Sequence, residues 1–215
     1  MTRGPAATFH AALPRRHSGQ NHHLPRSLHR PRLAFARPRR SSALRPRAPD
    51  QADARSAAIA DRGACEVRNV GADEYGVFAT RRFAAKALVI AGEVAEVLEK
   101  PTAGCHQVGE HIFVTHRGNT DKVRHCCDPN VGIRASGDGA HDFYARRAIM
   151  PGEEITVDFA LCRYTTATPR QRCRCGAANC RGQITGWKDL PAAQKAEYRD
   201  CAPSYLLALD DKYAR

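Results

Sequence analysis

From about residue 62 onward, apolar and polar positions alternate in short runs. Gly76-Val77-Phe78-Ala79-Thr80 and Ala87-Leu88-Val89-Ile90 are brief β-prone stretches joined by a polar connection, and His111-Ile112-Phe113-Val114-Thr115 is rich in β-branched residues. Asn130 to Arg134 and Asp142 to Arg146 alternate in the same way. Glu154-Ile155-Thr156-Val157-Asp158-Phe159 alternates most cleanly, which predicts a strand with Ile155, Val157 and Phe159 on one face. Period-two segments broken by Gly, Pro and Asp predict small antiparallel sheets, so the class is mostly β. Helix is expected only near the C-terminus. There Asp189 is placed to cap a segment from Pro191 to about Arg199, and Tyr205-Leu206-Leu207-Ala208-Leu209 is expected to pack back on the core. No internal repeat is present.

Residues 1–60 lack this pattern. They are rich in Arg, Ala, Pro, Ser and His and carry few large apolar side chains, so they cannot bury enough surface to offset the entropy of ordering. The expectation is a disordered arm. The net charge of +12 over 215 residues belongs to it: residues 1–49 hold eleven Arg and no Asp, Glu or Lys, leaving 23 basic and 22 acidic residues in the remainder. The near-neutral remainder gives no footing to nucleic-acid binding by the folded part; any such contact runs through the arm. An Arg-rich, Ser-containing, acid-free arm fits an organelle transit peptide, and equally a solvated basic tail on a nuclear or cytoplasmic protein. No apolar run approaches the roughly 20 residues of a membrane span, so a soluble protein without a membrane partner is expected.

Nine cysteines are many for a chain without a visible secretory signal, and their clustering favours metal ligation over disulfides. Cys173-Arg174-Cys175-Gly176-Ala177-Ala178-Asn179-Cys180 is a C-x-C-x4-C cluster able to occupy three corners of a zinc tetrahedron. Cys126-Cys127 is the candidate source of a fourth thiolate. Cys65, Cys105, Cys162 and Cys201 stand alone and are expected as small core residues.

Four segments, in this order, resemble the SET-domain protein-lysine methyltransferases that carry a cysteine-rich post-SET tail. Gly76 to Phe83 resembles the family's opening strand. Arg124-His125-Cys126-Cys127-Asp128-Pro129-Asn130 is similar to its N-H-S-C-x-P-N stretch. Phe143 to Ile149 followed by Gly152-Glu153-Glu154-Ile155-Thr156-Val157-Asp158-Phe159 resembles its G-E-E-L-T-x-D-Y ending, and Cys173 to Gly182 resembles the post-SET motif. The resemblance covers roughly residues 63–187. It implies small curved sheets with a knot-like C-terminal crossing, divided as a SET domain over 61–165, a post-SET zinc segment over 166–187 and a helical tail over 188–215.

The resemblance also implies chemistry. S-adenosylmethionine and zinc would be the cofactors, and a protein with an exposed lysine the substrate. Tyr75, Gly76, Arg124, His125 and Phe159 fall at cofactor positions. Cys127, chosen over Cys126 by position, joins Cys173, Cys175 and Cys180 at the zinc. Three positions depart from the family. Phe159 replaces the catalytic tyrosine and lacks its hydroxyl, Arg124 replaces the asparagine, and Glu74 replaces a glycine. Tyr164 and Tyr144 are the candidate sources of a substitute hydroxyl. The expected activity is methyl transfer to lysine. The competing expectations are a SET-fold module that binds cofactor or a lysine-bearing peptide without efficient turnover, and a zinc-stabilised interaction protein whose arm meets nucleic acid.

Overall fold

The computed structural model describes residues 55–58, 62–71, 74–166 and 171–213. The expected basic arm and the proposed transit segment lie outside these residues, apart from one helical turn at 55–58. Ten strands form three small sheets: β1 (Cys65–Gly71), β2 (Glu74–Ala79), β10 (Glu154–Val157) and β7 (Arg124–His125) in that order; β3 (Leu88–Ile90), β9 (His141–Ala145) and β8 (Val131–Ala135); and β4 (Val94–Leu98), β6 (Ile112–His116) and β5 (His106–Gly109). Two helices follow, α1 (Ala192–Tyr198) and α2 (Ser204–Tyr213).

The core lies where the first two sheets face each other. Val77, Ile133, Phe143, Ile155 and Leu161 meet Phe83 and Ile149 there, and Trp187, Tyr198 and Leu206 close it from the C-terminal side. Alternation explains the register, since Ile155 and Val157 are buried on β10 as the period-two pattern predicts. Phe159 does not share their face. The strand stops at Val157, because the Asp158 carboxylate accepts the Ala160 N–H and starts a single 3₁₀ turn over Phe159–Leu161. Phe159 therefore swings out of the sheet and is half-exposed.

The tail differs from expectation in a similar way. Asp189 ends a 3₁₀ turn over Trp187–Asp189 and does not cap α1, which begins after Pro191 with no side-chain cap. Leu190 and Pro191 take extended backbone between the two, so the carboxylate is a turn too early. The apolar stretch 205–209 does pack on the core: α2 buries Leu206 and Leu209. The tail also presses close, for a Cβ on Gly132 of β8 would stand 2.4 Å from the Cys201 Cβ. Of the isolated cysteines, Cys65, Cys105 and Cys162 are buried and Cys201 is half-buried.

Candidate functional site

The site is assembled by one pairing. β7 lies parallel to β10, with Arg124 opposite Thr156 and His125 opposite Val157. Parallel strands require a long crossover, and this one brings residues 124–127 alongside 156–159 across some thirty positions of chain. The Cys126 N–H donates to the Val157 carbonyl at 3.0 Å and continues the ladder, which delivers Cys127 into the interior.

There Cys127 meets the C-terminal cysteines. Its Sγ lies 3.8 Å from the Cys173 Sγ, which matches the edge of a tetrahedron with zinc–sulfur bonds of about 2.3 Å. The Cys175 Sγ lies within 4.8 Å of both. Three of the sulfurs accept a backbone N–H, Cys127 from Arg181, Cys175 from Cys127 and Cys180 from Gly182, all at 3.4 Å. Such donors favour thiolates. Burial pushes the Cys127 thiol up, and Cys173 to about 11. Burial opposes ionisation of Cys175 as well, but N–H groups of Cys127 and Ala177 outweigh it and hold this thiol at about 6. A set with one ready thiolate and three further sulfurs that a divalent cation would deprotonate fits zinc. Cys126 also approaches Cys175, but it is half-exposed, whereas Cys127 is wholly buried and its Sγ lies 3.8 Å from the Cys173 Sγ.

His125 is the group the cysteine spacing could not reveal. Its ligand atom falls with those of Cys127, Cys173 and Cys175, all within 4.8 Å of one another, while Cys180 stands outside that tighter group. Hydrogen bonding decides between them. The Phe159 N–H donates to His125 Nδ1 at 3.2 Å, so a neutral ring carries its proton on Nε2, which faces the Cys127 Sγ at 3.4 Å. Burial keeps the imidazole neutral by holding its pKa down. In this tautomer the His125 Nε2–H donates to the Cys127 sulfur.

The two charged departures, Arg124 and Glu74, answer each other. Arg124 Nε donates to Glu154 Oε1 at 2.7 Å, and its Nη1 to Glu74 Oε2 at 3.3 Å. Its positive charge is thus shared between two carboxylates, one of them largely exposed. Gly76 leaves room for this, since a Cβ there would stand 2.6 Å from Glu154 Oε1 and the carboxylate would have to shift. Tyr75 projects from β2 and is exposed.

Asp158 ties the sulfur cluster to the Phe159 turn. Wholly buried, it takes a bidentate ion pair from Arg181 at 2.6 and 2.8 Å and the Tyr198 hydroxyl at 3.1 Å. Tyr198 and Gln194 of α1 both reach the Cys127 carbonyl at 3.3 Å. The helical tail therefore braces the cluster, a role its apolar pattern did not announce. Neither candidate tyrosine lines the cavity that Phe159 lines: Tyr164 lines a wide cleft of about 910 Å³ with Tyr213, and Tyr144 lines another cavity with Gly132 and Cys201.

A model of the SET domain matches residues 74–160. The chain is 42% identical over 90 residues to the histone-lysine N-methyltransferase Set2 of Drosophila melanogaster, which covers 40% of this chain and 4% of the relative. It is 36% identical over 81 residues to the histone-lysine N-methyltransferase met-2 of Caenorhabditis elegans, covering 34% of this chain and 6% of the relative. It is 33% identical over 128 residues to a histone-lysine N-methyltransferase of Saccharomyces cerevisiae specific for H3 lysine-4, covering 50% of this chain and 12% of the relative. The chain thus spans a small fraction of the length of these relatives. A solved structure of KRYPTONITE with mCHH DNA, an H3(1-15) peptide and SAH aligns with 56% of this chain and 29% of its own, at a TM-score of 0.47 and 19% identity.

Proposed function

With residues 74–160 forming a SET domain, we propose that the chain transfers the methyl group of S-adenosylmethionine to the side-chain amine of a protein lysine. The observation that supports this best is the parallel β7–β10 pairing, which sets Arg124 beside Glu154 and Glu74, and His125 between the Phe159 N–H and the Cys127 sulfur. In this reading 61–165 is the catalytic domain, 166–187 the post-SET segment and 188–215 the bracing tail. Cys127, Cys173, Cys175 and Cys180 hold a structural zinc, closed by four thiolates and offering no open position for catalysis. Bound S-adenosylmethionine supplies an electrophilic methyl on a sulfonium.

The chain's own part is alignment and desolvation. Arg124, partly neutralised by Glu154, meets the carboxylate of the cofactor's amino-acid end, and Glu74 meets its ammonium. Gly76 and Tyr75 border that end, and the His125 backbone borders the rest. Phe159 gives an apolar wall between donor and acceptor. The acceptor is a protein lysine, with no membrane involved; contact with nucleic acid belongs to the arm.

Calorimetric titration of the full chain with S-adenosylmethionine, followed by methyl transfer from labelled cofactor to protein lysines, tests the reading. Binding with labelled lysine is expected, and absence of binding overturns it. Because Phe159 carries no hydroxyl, a module that binds without turnover is the second reading; binding without label would select it.

A further inference from the structure

The 3₁₀ turn that follows β10 begins with two backbone donors that have no partner within the turn, the N–H groups of Phe159 and Ala160. Asp158 takes the second at 3.0 Å. The first goes to His125 Nδ1 at 3.2 Å, on a side chain only 5% exposed. The His125 and Phe159 rings also lie against each other, with centroids 5.3 Å apart. One hydrogen bond and one ring contact thus set where Phe159 stands on the wall of its cavity of about 270 Å³.

The opposite edge of the same imidazole meets the sulfur cluster, with Nε2 3.4 Å from the Cys127 Sγ. Among the described residues no other side chain bonds both this sulfur and the Phe159 N–H. Asp158 lies nearby, but it bonds Arg181, Tyr198 and the Ala160 N–H. Its Oδ1 stands 3.6 Å from His125 Nδ1, beyond hydrogen-bond reach. The state of the sulfur decides what the ring can do. A metal-bound thiolate only accepts, so it holds the single ring proton on Nε2 and leaves the Nδ1 lone pair to Phe159. A free thiol can donate to Nε2 instead. The ring proton then sits on Nδ1, where it opposes the Phe159 N–H, and that bond is lost.

We propose that His125 is a positioning residue that links metal loading at Cys127 to the placement of Phe159, with Nε2–H on the sulfur and Nδ1 on the Phe159 N–H. This rests on the zinc and methyl-transfer reading. It gives the metal a part in setting the apolar wall beside the acceptor amine, besides holding the tail.

The test separates the two ends of the ring in the full-length, zinc-loaded chain. An asparagine amide puts its oxygen near the position of Nδ1, and a glutamine amide puts its nitrogen near that of Nε2. His125→Asn is expected to keep the Phe159 amide protected from hydrogen exchange, while zinc affinity, read by chelator competition, falls about 10-fold. His125→Gln should keep the zinc affinity, while exchange at Phe159 quickens and methyl transfer to a lysine peptide falls about 10-fold. Nitrogen-15 spectra of the wild-type imidazole should show its proton on Nε2, a readout that needs no variant to fold. A proton on Nδ1, or Asn and Gln variants that shift affinity and exchange alike, overturns the link. So does wild-type exchange at Phe159 that chelation leaves unchanged. A zinc-loaded wild type that transfers no methyl overturns the transfer reading alone, because tautomer, affinity and exchange still decide the link. A chain that binds no zinc overturns the link and the zinc reading together.

Discussion

Two clusters of buried polar side chains stand in this molecule, and they are built on opposite terms. Around Cys127 three of the sulfurs have an N–H aimed at them, and Asp158, Arg181, Tyr198 and Gln194 close the surroundings with hydrogen bonds. Between the β4–β6–β5 sheet and β9, the rings of His106, His116 and His141 pack at centroid distances of 4.7 to 5.8 Å, with Tyr205 stacked on His141. His106 Nδ1 faces His141 Nδ1 at 3.1 Å, while His116 Nδ1 and His141 Nε2 have no partner. Burial drives all three histidines below their ordinary range, His116 to about 4 and His141 to about 3. The first cluster is arranged to hold charge, and the second holds together only without it. Polar burial marks a ligand site where the donors converge on one point; where rings merely pack, it marks a part of the core sensitive to acid.

The sulfur cluster gives the largest expected effect. Cys127→Ser or Cys173→Ser should lower zinc affinity by more than about 100-fold, beyond what outer partners cost. Metal analysis and hydrogen exchange over 171–190 read this, and full zinc occupancy in either variant breaks the contrast. Phe159→Tyr comes next. A restored hydroxyl should raise methyl transfer by about 10 to 10³-fold, and an unchanged rate would remove Phe159 from the reacting centre.

The histidine cluster predicts a pH response. Each ring titrates near 6.5 when unfolded. As pH falls from there towards the folded values of about 4 for His116 and about 3 for His141, the unfolded chain takes up protons that the folded one refuses. Stability therefore drops, by about 1.4 kcal/mol per pH unit for each histidine. Below the folded values the loss levels off. Denaturant titrations between pH 7 and 5 measure the slope, and His141→Leu should reduce it; an identical slope in that variant would clear the cluster of acid sensitivity. The smallest effect belongs to the exposed Arg124–Glu74 pair. Glu74→Gln should shift stability by less than about 1 kcal/mol while weakening cofactor binding, and a large change in melting temperature would show the pair to be structural.

How much of this was legible in the chain depends on the range of the signal. Strands β2, β3, β6, β8, β9 and β10 lie where local alternation put them. β1, β4 and β5 escaped because much of each faces solvent or carries His and Gln in place of apolar residues, and β7 is two residues long. The C-x-C-x4-C cluster was visible because its three donors are close in sequence. Its fourth corner was legible only through family resemblance.

Sequence alone determined the β class and the clustered thiols, since each resides in neighbouring residues. Tertiary structure decided the rest. A parallel pairing between distant strands brings Cys127 to Cys173 and joins Arg124 to Glu74. No local pattern encodes such a meeting, because contact across a crossover depends on how the whole core packs.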